Sequence, residues 1–288
     1  VISLLVPLRL DGKRDVRAKA WDWVRRRWAA VLPEAELVMG TDDGGEPFSK
    51  TVAVNDAYRK SSGNMLVIAD ADSWVERDQL GQAIEMAWRR ERLVVPWMKA
   101  YRFPKESSDQ VMAADPAGPL PVTAEHRRLG KDDAPSPASA AMVLCIQRRA
   151  FERVGGMDPR FRGWGSEDVS FGLSCWTMLG RNAYILGEAY ALYHPRPLND
   201  GRMRVWRNDP GSLNFELWHR YQRAQGRPEL MTALCREHSL GFDVVPSPEL
   251  TPDDIMFLPD DDNFEPDMTQ APVARERQGG GLREGERI

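Results

Sequence analysis

Apolar and polar positions follow two alternating rhythms along the first 95 residues. Ile2 to Leu8 is a short apolar run with Pro7 near its end, which predicts a buried strand. Behind Asp15, a fitting helix cap, Trp21, Val24, Trp28 and Val31 or Leu32 recur at helical spacing, and Pro33 stops the helix. Glu36 to Gly40 reads as a second strand, followed by the turn-rich Thr41-Asp42-Asp43-Gly44-Gly45. Ser49 opens a helix with Val54, Ala57 and Tyr58 on one face, ending near Gly63. Met65 to Ala69 is a third strand that runs straight into Asp70-Ala71-Asp72. A helix from Asp78 to about Glu91 is expected to turn Leu80, Ile84 and Trp88 inward, and Leu93 to Trp97 reads as a fourth strand. Such alternation predicts a mostly parallel central sheet flanked by helices, a Rossmann-like α/β architecture in one domain. Ligands bind such sheets at the carboxyl ends of the strands. Pro7-Leu8-Arg9, Asp42-Asp43 and Asp70-Ala71-Asp72 all lie there, so three polar clusters are expected to converge on one crevice.

The rhythm breaks from Pro104 to Ser139, a stretch rich in Pro, Ala, Ser and charge that reads as a loop, either a lid over the site or disorder. Order returns with a strand over Ala141 to Ile146, a short helix over Arg148 to Val154 and a turn at Gly155-Gly156-Met157-Asp158-Pro159. A helix over Glu167 to Leu179, short strands over Ala183 to Leu186 and Ala189 to Tyr193, and helices over Ser212 to Ala224 and Pro228 to Glu237 complete the pattern. From about Pro246 the chain turns Pro- and Asp-rich. The expected organisation is a catalytic domain over 1–245, with a ligand-binding half in 1–100 and an acceptor half in 140–200, then an extended tail over 246–288. Within that tail Asp260-Asp261-Asp262 reads as a solvated charge run.

Composition narrows the classes. The chain has 288 residues, 42% of them hydrophobic, enough for the core of one large domain. No run approaches the roughly 18 apolar residues of a membrane span and no signal-peptide pattern opens the chain, so no membrane span and a cytoplasmic location are expected. A net charge of -4 argues against a generally basic, nucleic-acid-coating surface. Cys145, Cys175 and Cys235 are odd in number, widely spaced and set among apolar neighbours, which predicts buried, inert thiols rather than a disulfide framework or a zinc site.

Two segments carry chemistry. Asp70-Ala71-Asp72 places two carboxylates where a strand ends, able to face one divalent cation, one directly and the other through water or a ligand's ribose. Read alone it is an ordinary Asp-rich turn; the strand before it and the neighbouring strand ends raise its interest. Gly163-Trp164-Gly165-Ser166-Glu167-Asp168 is more specific. Its glycines allow close backbone approach, its aromatic ring offers a flat face to a sugar, and two adjacent acids then open a helix. Acids suit a helix's first turn through its dipole, which accounts for Glu167 and Asp168 singly but not for the Trp and glycines before them.

Together these motifs, Gly155-Gly156-Met157-Asp158 followed by Trp164-Gly165-Ser166-Glu167-Asp168, resemble nucleotide-sugar-dependent glycosyltransferases of the GT-A fold. The likeness is to β-1,4-galactosyltransferases, polypeptide N-acetylgalactosaminyltransferases and chondroitin-polymerase-type enzymes. It covers about residues 1–200, and Ser166 stands where the family usually has a second Gly. The resemblance implies that Pro7-Leu8-Arg9 contacts the nucleotide and that Asp42 or Asp43 accepts hydrogen bonds from uracil or ribose. It places Lys50 and Asn55 on the helix leading to the metal motif, with Lys50 near the base or a phosphate. Asp70, Ala71 and Asp72 form the D-x-D, His194 completes the metal shell, and Trp164 and Gly165 meet a sugar.

The chemistry implied is transfer of a sugar from a UDP-hexose or UDP-N-acetylhexosamine to an acceptor hydroxyl with Mn²⁺ or Mg²⁺ at Asp70, Asp72 and His194. Arg9 or an arginine of the 104–139 loop assists the leaving diphosphate. Asp168 resembles the general base of inverting members, and Glu167 orients acceptor or donor sugar. A glycan or protein acceptor is expected ahead of a modified nucleic-acid base, and the oligomeric state stays open. The rivals are a sugar-nucleotide pyrophosphorylase and a non-catalytic nucleotide-sugar-binding protein. The former needs a Gly-rich basic loop after the first strand, and Leu8-Arg9-Leu10-Asp11-Gly12-Lys13-Arg14 has one Gly. Against the latter stand Asp168 and the D-x-D.

Overall fold

The computed structural model describes residues 1–10, 15–121, 128–129, 141–163, 165–194 and 213–251. The chain divides into a unit over Val1–Phe257 and a second over Leu258–Ile288, which lies outside the described residues together with the Asp260-Asp261-Asp262 run.

The expected opening alternation is present. Strand β1 (Ile2–Pro7), helix α1 (Asp15–Val31), β2 (Glu36–Gly40), α2 (Lys50–Lys60) and β3 (Met65–Ala69) build the first layers. Then follow β4 (Ser73–Val75), α3 (Arg77–Arg90), β5 (Val94–Val95), β6 (Lys99–Arg102), α4 (Lys105–Ala113) and β7 (Arg128–Leu129). The later part adds β8 (Val143–Gln147), α5 (Arg148–Arg153), α6 (Glu167–Leu179), β9 (Ala183–Tyr184), β10 (Glu188–Ala191), α7 (Leu213–Ala224) and α8 (Pro228–Arg236).

A six-stranded sheet has the order β2-β1-β3-β8-β5-β9. β1 runs parallel to β2 and β3, and β5 parallel to β9, while β8 is antiparallel to both its neighbours. β1, β3 and β8 are buried almost throughout, as continuous apolar runs covered on both faces should be. The strand ends of β1, β2 and β3 therefore open on one edge of the sheet. A smaller sheet of order β4-β10-β6-β7 forms beside that edge. Its strands are too short for the apolar pattern to announce them as one sheet.

Two expectations are corrected. Trp88 is 56% exposed, because α3 buries the line Leu80, Ala83 and Ala87 instead. The two alanines bring the helix close to the sheet, and Trp88 falls about 100° past Ala87, on the solvent side. The stretch after Pro104 opens not as a loop but as α4, which buries Ser108 and Val111. Trp23 donates its indole N–H to the Ala114 carbonyl at 3.0 Å, and Arg27 reaches the Pro116 and Gly118 carbonyls at 2.8 and 2.9 Å, so α1 straps this segment down. All three cysteines are buried, and burial pushes the Cys145 thiol pKa up, as expected of inert thiols. Among the described residues no helix is long and apolar enough to cross a membrane.

The β2–α2 contact depends on Gly40. A Cβ there would lie 1.9 Å from the Ala53 carbonyl oxygen and 2.5 Å from the Ala57 nitrogen, both main-chain atoms. Gly40→Ala is expected to cost about 3 kcal/mol, the upper range for overpacking. Urea unfolding should show a lower midpoint at unchanged slope; a wild-type midpoint would refute the contact.

Candidate active site

The site is assembled from four chain segments. The first is the start of α2. Ser49 caps that helix, its hydroxyl accepting from the Val52 N–H at 3.3 Å and donating to the Phe161 carbonyl at 2.9 Å. Lys50, the first helical residue, is thereby aimed across the sheet edge. Its ammonium lies 2.7 Å from Asp70 and 2.8 and 3.0 Å from the two oxygens of Asp168. The strand-end motif and the start of α6 thus meet at one cation, though nearly a hundred residues separate them.

The second segment is the D-x-D. Asp70 N–H donates to the Met142 carbonyl at 2.8 Å, which fixes the turn leaving β3. Asp72 runs directly into β4, which pairs with β10 in the register Ser73 to Ala191. Leu192 N–H then bonds the Asp72 carbonyl at 2.9 Å. That pairing delivers His194, whose Nε2 stands 3.1 Å from Asp72 Oδ2. Burial alone would raise the Asp72 pKa, but hydrogen bonds from His194 and Ser73 and the charges of His194 and Arg102 carry it down to about 2.

The third segment is the start of α6. Gly163, Gly165 and Ser166 all adopt positive φ, at +75°, +117° and +72°. Glycine takes this conformation freely; Ser166, at the position where the resembled family has a glycine, is held there against its own Cβ. Glu167 accepts from the Gly165 N–H at 2.9 Å and is buried. Burial raises the pKa of Glu167 and pushes Asp168 to about 7, Lys50 pulling both down while the neighbouring carboxylates push Asp168 up. Burial disfavours the Lys50 charge, but Asp168, Asp70 and Glu167 outweigh it and hold the ammonium protonated.

The fourth segment is the β2–α2 turn. Arg9 donates to the Gly45 carbonyl at 2.9 Å, pairs with Asp42 at 3.2 Å and Glu46 at 2.7 Å, and lies over the Phe48 ring. The Asp42 side chain is fully buried and also accepts from the Ser49 N–H at 3.1 Å. Asp43 is paired with Arg162 at 2.6 Å, a contact that holds its carboxyl well below the usual range. Asn55, 1% exposed, gives both halves of its amide to Met157: Nδ2 to the carbonyl at 2.6 Å, Oδ1 from the N–H at 3.1 Å. Of the residues named for nucleotide binding, Asp42 and Asn55 are thus buried and hydrogen-bonded within the protein. Pro7 ends β1 beside Gly40, and Trp164 lies outside the described residues.

The Gly155-Gly156-Met157-Asp158 turn is equally anchored. Buried Asp158 accepts from Arg160 at 2.7 Å and from the Tyr221 hydroxyl at 2.9 Å, and that hydroxyl also meets His238 Nε2 at 3.0 Å. Burial would raise Asp158, yet the Arg160 hydrogen bonds and the nearby His238 and Arg160 charges bring it below the ordinary value.

A divalent cation fits part of the expected shell. Asp72 Oδ2 and His194 Nε2 point at one another, and carboxylate with imidazole is a donor set that Mn²⁺ accepts. Asp70 is engaged by Lys50, and among the described residues no three His, Cys, Asp or Glu side chains stand grouped as metal ligands. Of the three residues, Asp72 and His194 stand as a pair and the Asp70 carboxylate is turned to the Lys50 ammonium.

Residues 131–177 match the family described as N-terminal domain of galactosyltransferase. The matched segment is thus similar to galactosyltransferases. It takes in β8, α5, the Gly155–Asp158 turn and most of α6, and it agrees with the GT-A resemblance of the motifs. Comparison with curated proteins finds no match. Among solved structures the chain is similar to a Drosophila β-1,4-galactosyltransferase 7 mutant in complex with manganese, UDP-Gal and xylobiose, at 14% identity and a TM-score of 0.41. That alignment covers 65% of this chain and 64% of the other. The catalytic domain of the same Drosophila enzyme with xylobiose aligns at 15% identity, TM-score 0.41 and the same coverage. GalNAc-T7 with UDP, GalNAc and Mn²⁺ aligns at 14% identity and TM-score 0.43, over 80% of this chain and 51% of that one. The chain spans less than two thirds of the length of each.

Sequence reasoning passed over three contributors. Arg102 acts on Asp72 from β6, Phe48 lies under Arg9, and Asn214 reaches the loop before α6. Arg102 and Asn214 stand outside any motif, and only the folded sheet and the packing of α7 bring them in.

Proposed function

We propose that this chain is a metal-dependent glycosyltransferase that moves a hexose or N-acetylhexosamine from a UDP-sugar to an acceptor hydroxyl with inversion. The observation that carries the reading is the Asp70–Lys50–Asp168 bridge, which brings a strand-end acid and an α6 acid to one ammonium in a chain with a segment that matches a galactosyltransferase family. Asp72 and His194 would hold a divalent cation, joined by Asp70 once that carboxylate leaves Lys50. The cation would supply Lewis-acid stabilisation of the departing diphosphate.

The remaining work falls to the chain. Asp168 accepts the proton of the attacking hydroxyl; a base with a pKa near 7 is well matched to neutral pH. Glu167, tied to the Gly165 N–H, orients the sugar at the loop it helps to fix. Lys50, protonated beside both acid groups, offers its charge to the diphosphate and its hydrogen bonds to Asp168. Arg9, paired with Asp42 and Glu46, faces the nucleotide.

The test is release of nucleotide from UDP-, GDP- and dTDP-sugars with Mn²⁺ or Mg²⁺, with and without sugar acceptors. Metal-stimulated turnover of one donor, lost in Asp72→Ala, is expected. No binding and no turnover across the panel would overturn the reading.

A further inference from the structure

The loop that opens α6 needs outside support. Gly163, Gly165 and Ser166 all have positive φ, and this backbone belongs to neither a helix nor a strand. Part of the support comes from the N-terminal side: Gly163 N–H bonds the Phe48 carbonyl at 2.9 Å, and the Arg162 guanidinium grips Asp43. The rest comes from a residue outside every motif. Asn214, in the first turn of α7 and 1% exposed, accepts the Arg162 N–H at 3.1 Å and donates to the Arg162 carbonyl at 2.8 Å. The same amide nitrogen lies 3.3 Å from the Gly165 carbonyl. One side chain thus binds the main chain on both sides of residue 164. Asn55 makes the matching two-way clip at Met157, so two buried amides bracket the segment between the two turns.

We propose that Asn214 is a positioning residue for transfer: it holds the main chain at Arg162 and Gly165 in the form that presents the acceptor to Asp168, and α7 is thereby part of the catalytic apparatus. The proposal rests on the reading of Asp168 and Glu167 as the acids of a transferase. The chemistry of the site assigns the effect to the acceptor rather than the donor. Among the described residues the Asn214 side chain hydrogen-bonds only Arg162 and Gly165 of the loop before α6, whereas Asp70 is fixed by the Met142 carbonyl and Asp72 and His194 by the β4–β10 pairing. Loss of the clip leaves these intact.

The experiment compares wild type with Asn214→Ala, which removes all three bonds, and Asn214→Asp, nearly isosteric, which keeps the acceptor for Arg162 N–H but sets a carboxylate against two carbonyls. Amide hydrogen exchange over residues 160–170 is expected to quicken at least about tenfold in both variants, with the other helices unchanged. For transfer, kcat/KM for the acceptor is expected to fall at least about tenfold while donor KM and the Kd for UDP with Mn²⁺ stay within about twofold. Unchanged exchange in the loop overturns the proposal whatever the activity. So does faster exchange with wild-type acceptor kinetics, or a global loss of fold in both variants, which would make Asn214 a stability residue only. If wild type turns over no donor, the transferase reading fails while the exchange data still decide whether Asn214 holds the loop.

Discussion

Asp168→Asn is expected to reduce kcat by about 10²–10⁴-fold, the usual contribution of a positioned general base. The amide is nearly isosteric and can still receive a hydrogen bond from Lys50, so the crevice keeps its shape. Donor KM should therefore stay within about twofold of wild type. The pH profile offers a second check. Burial and its neighbouring carboxylates push the Asp168 pKa to about 7. Below that value the base carries a proton and cannot take another, so kcat/KM should fall as pH drops through 7 in wild type. The residual rate of Asp168→Asn should lack that acid limb. A variant with wild-type kcat, or a wild-type profile flat between pH 5 and 8, would remove Asp168 from the role.

Lys50→Met should have the next largest effect, on folding as well as on rate. The substitution leaves Asp70, Glu167 and Asp168 around one crevice with no ammonium among them. Breaking a buried ion pair costs roughly 3–5 kcal/mol; these groups retain some solvent contact, so about 2 kcal/mol is expected at pH 8. The sign with pH follows from proton binding. The ordinary aspartate value is 3.8, and Asp168 is already above it in the folded chain. Without Lys50 the folded-state carboxyl pKa values rise further, so the folded state binds more protons than the unfolded one. Stability of the variant must then fall as pH rises between about 4 and the raised folded value. Thermal melting at pH 5 and pH 8 measures this: the loss relative to wild type should be larger at pH 8. Mn²⁺ should restore part of the pH 8 loss if Asp70 becomes free to bind it. An equal loss at both pH values would mean that Lys50 contributes packing rather than charge.

The first half of the fold could be read because its elements are long and individually amphipathic. Trp21, Val24 and Trp28 mark α1, and β3 is five apolar residues ended by the D-x-D. The helix from Glu167 to Leu179 was equally plain, its start marked by glycines and acids. What escaped was built from pieces too short to carry a period. β4 and β6 have three and four residues; the strand at β10 was legible, but its pairing with β4, which brings His194 to Asp72, was not. α4 was hidden by its largely polar sequence, with few apolar positions to mark a face, and is tied down by α1. Trp88 went astray because alanines, weak signals on a hydropathy pattern, define the buried line of α3. Within the site, the D-x-D and the Glu167-Asp168 pair were visible as motifs. The Lys50–Asp168 contact and the Asn214 clip were not, since each joins residues more than 45 positions apart through geometry alone.

The position of β8 bears on how such a protein can be cut or recombined. It lies between β3 and β5, so the sheet interleaves early and late chain in the order β2-β1-β3-β8-β5-β9. A fragment ending near residue 100 would present β3 as a bare edge and strand the two-residue β5 without either neighbour. Grafting a foreign C-terminal piece onto it would require that piece to insert its own strand in mid-sheet, in register with Met65–Ala69. The early and late parts of the chain are therefore not interchangeable cassettes, and altered properties must come from side-chain and loop changes within one indivisible sheet.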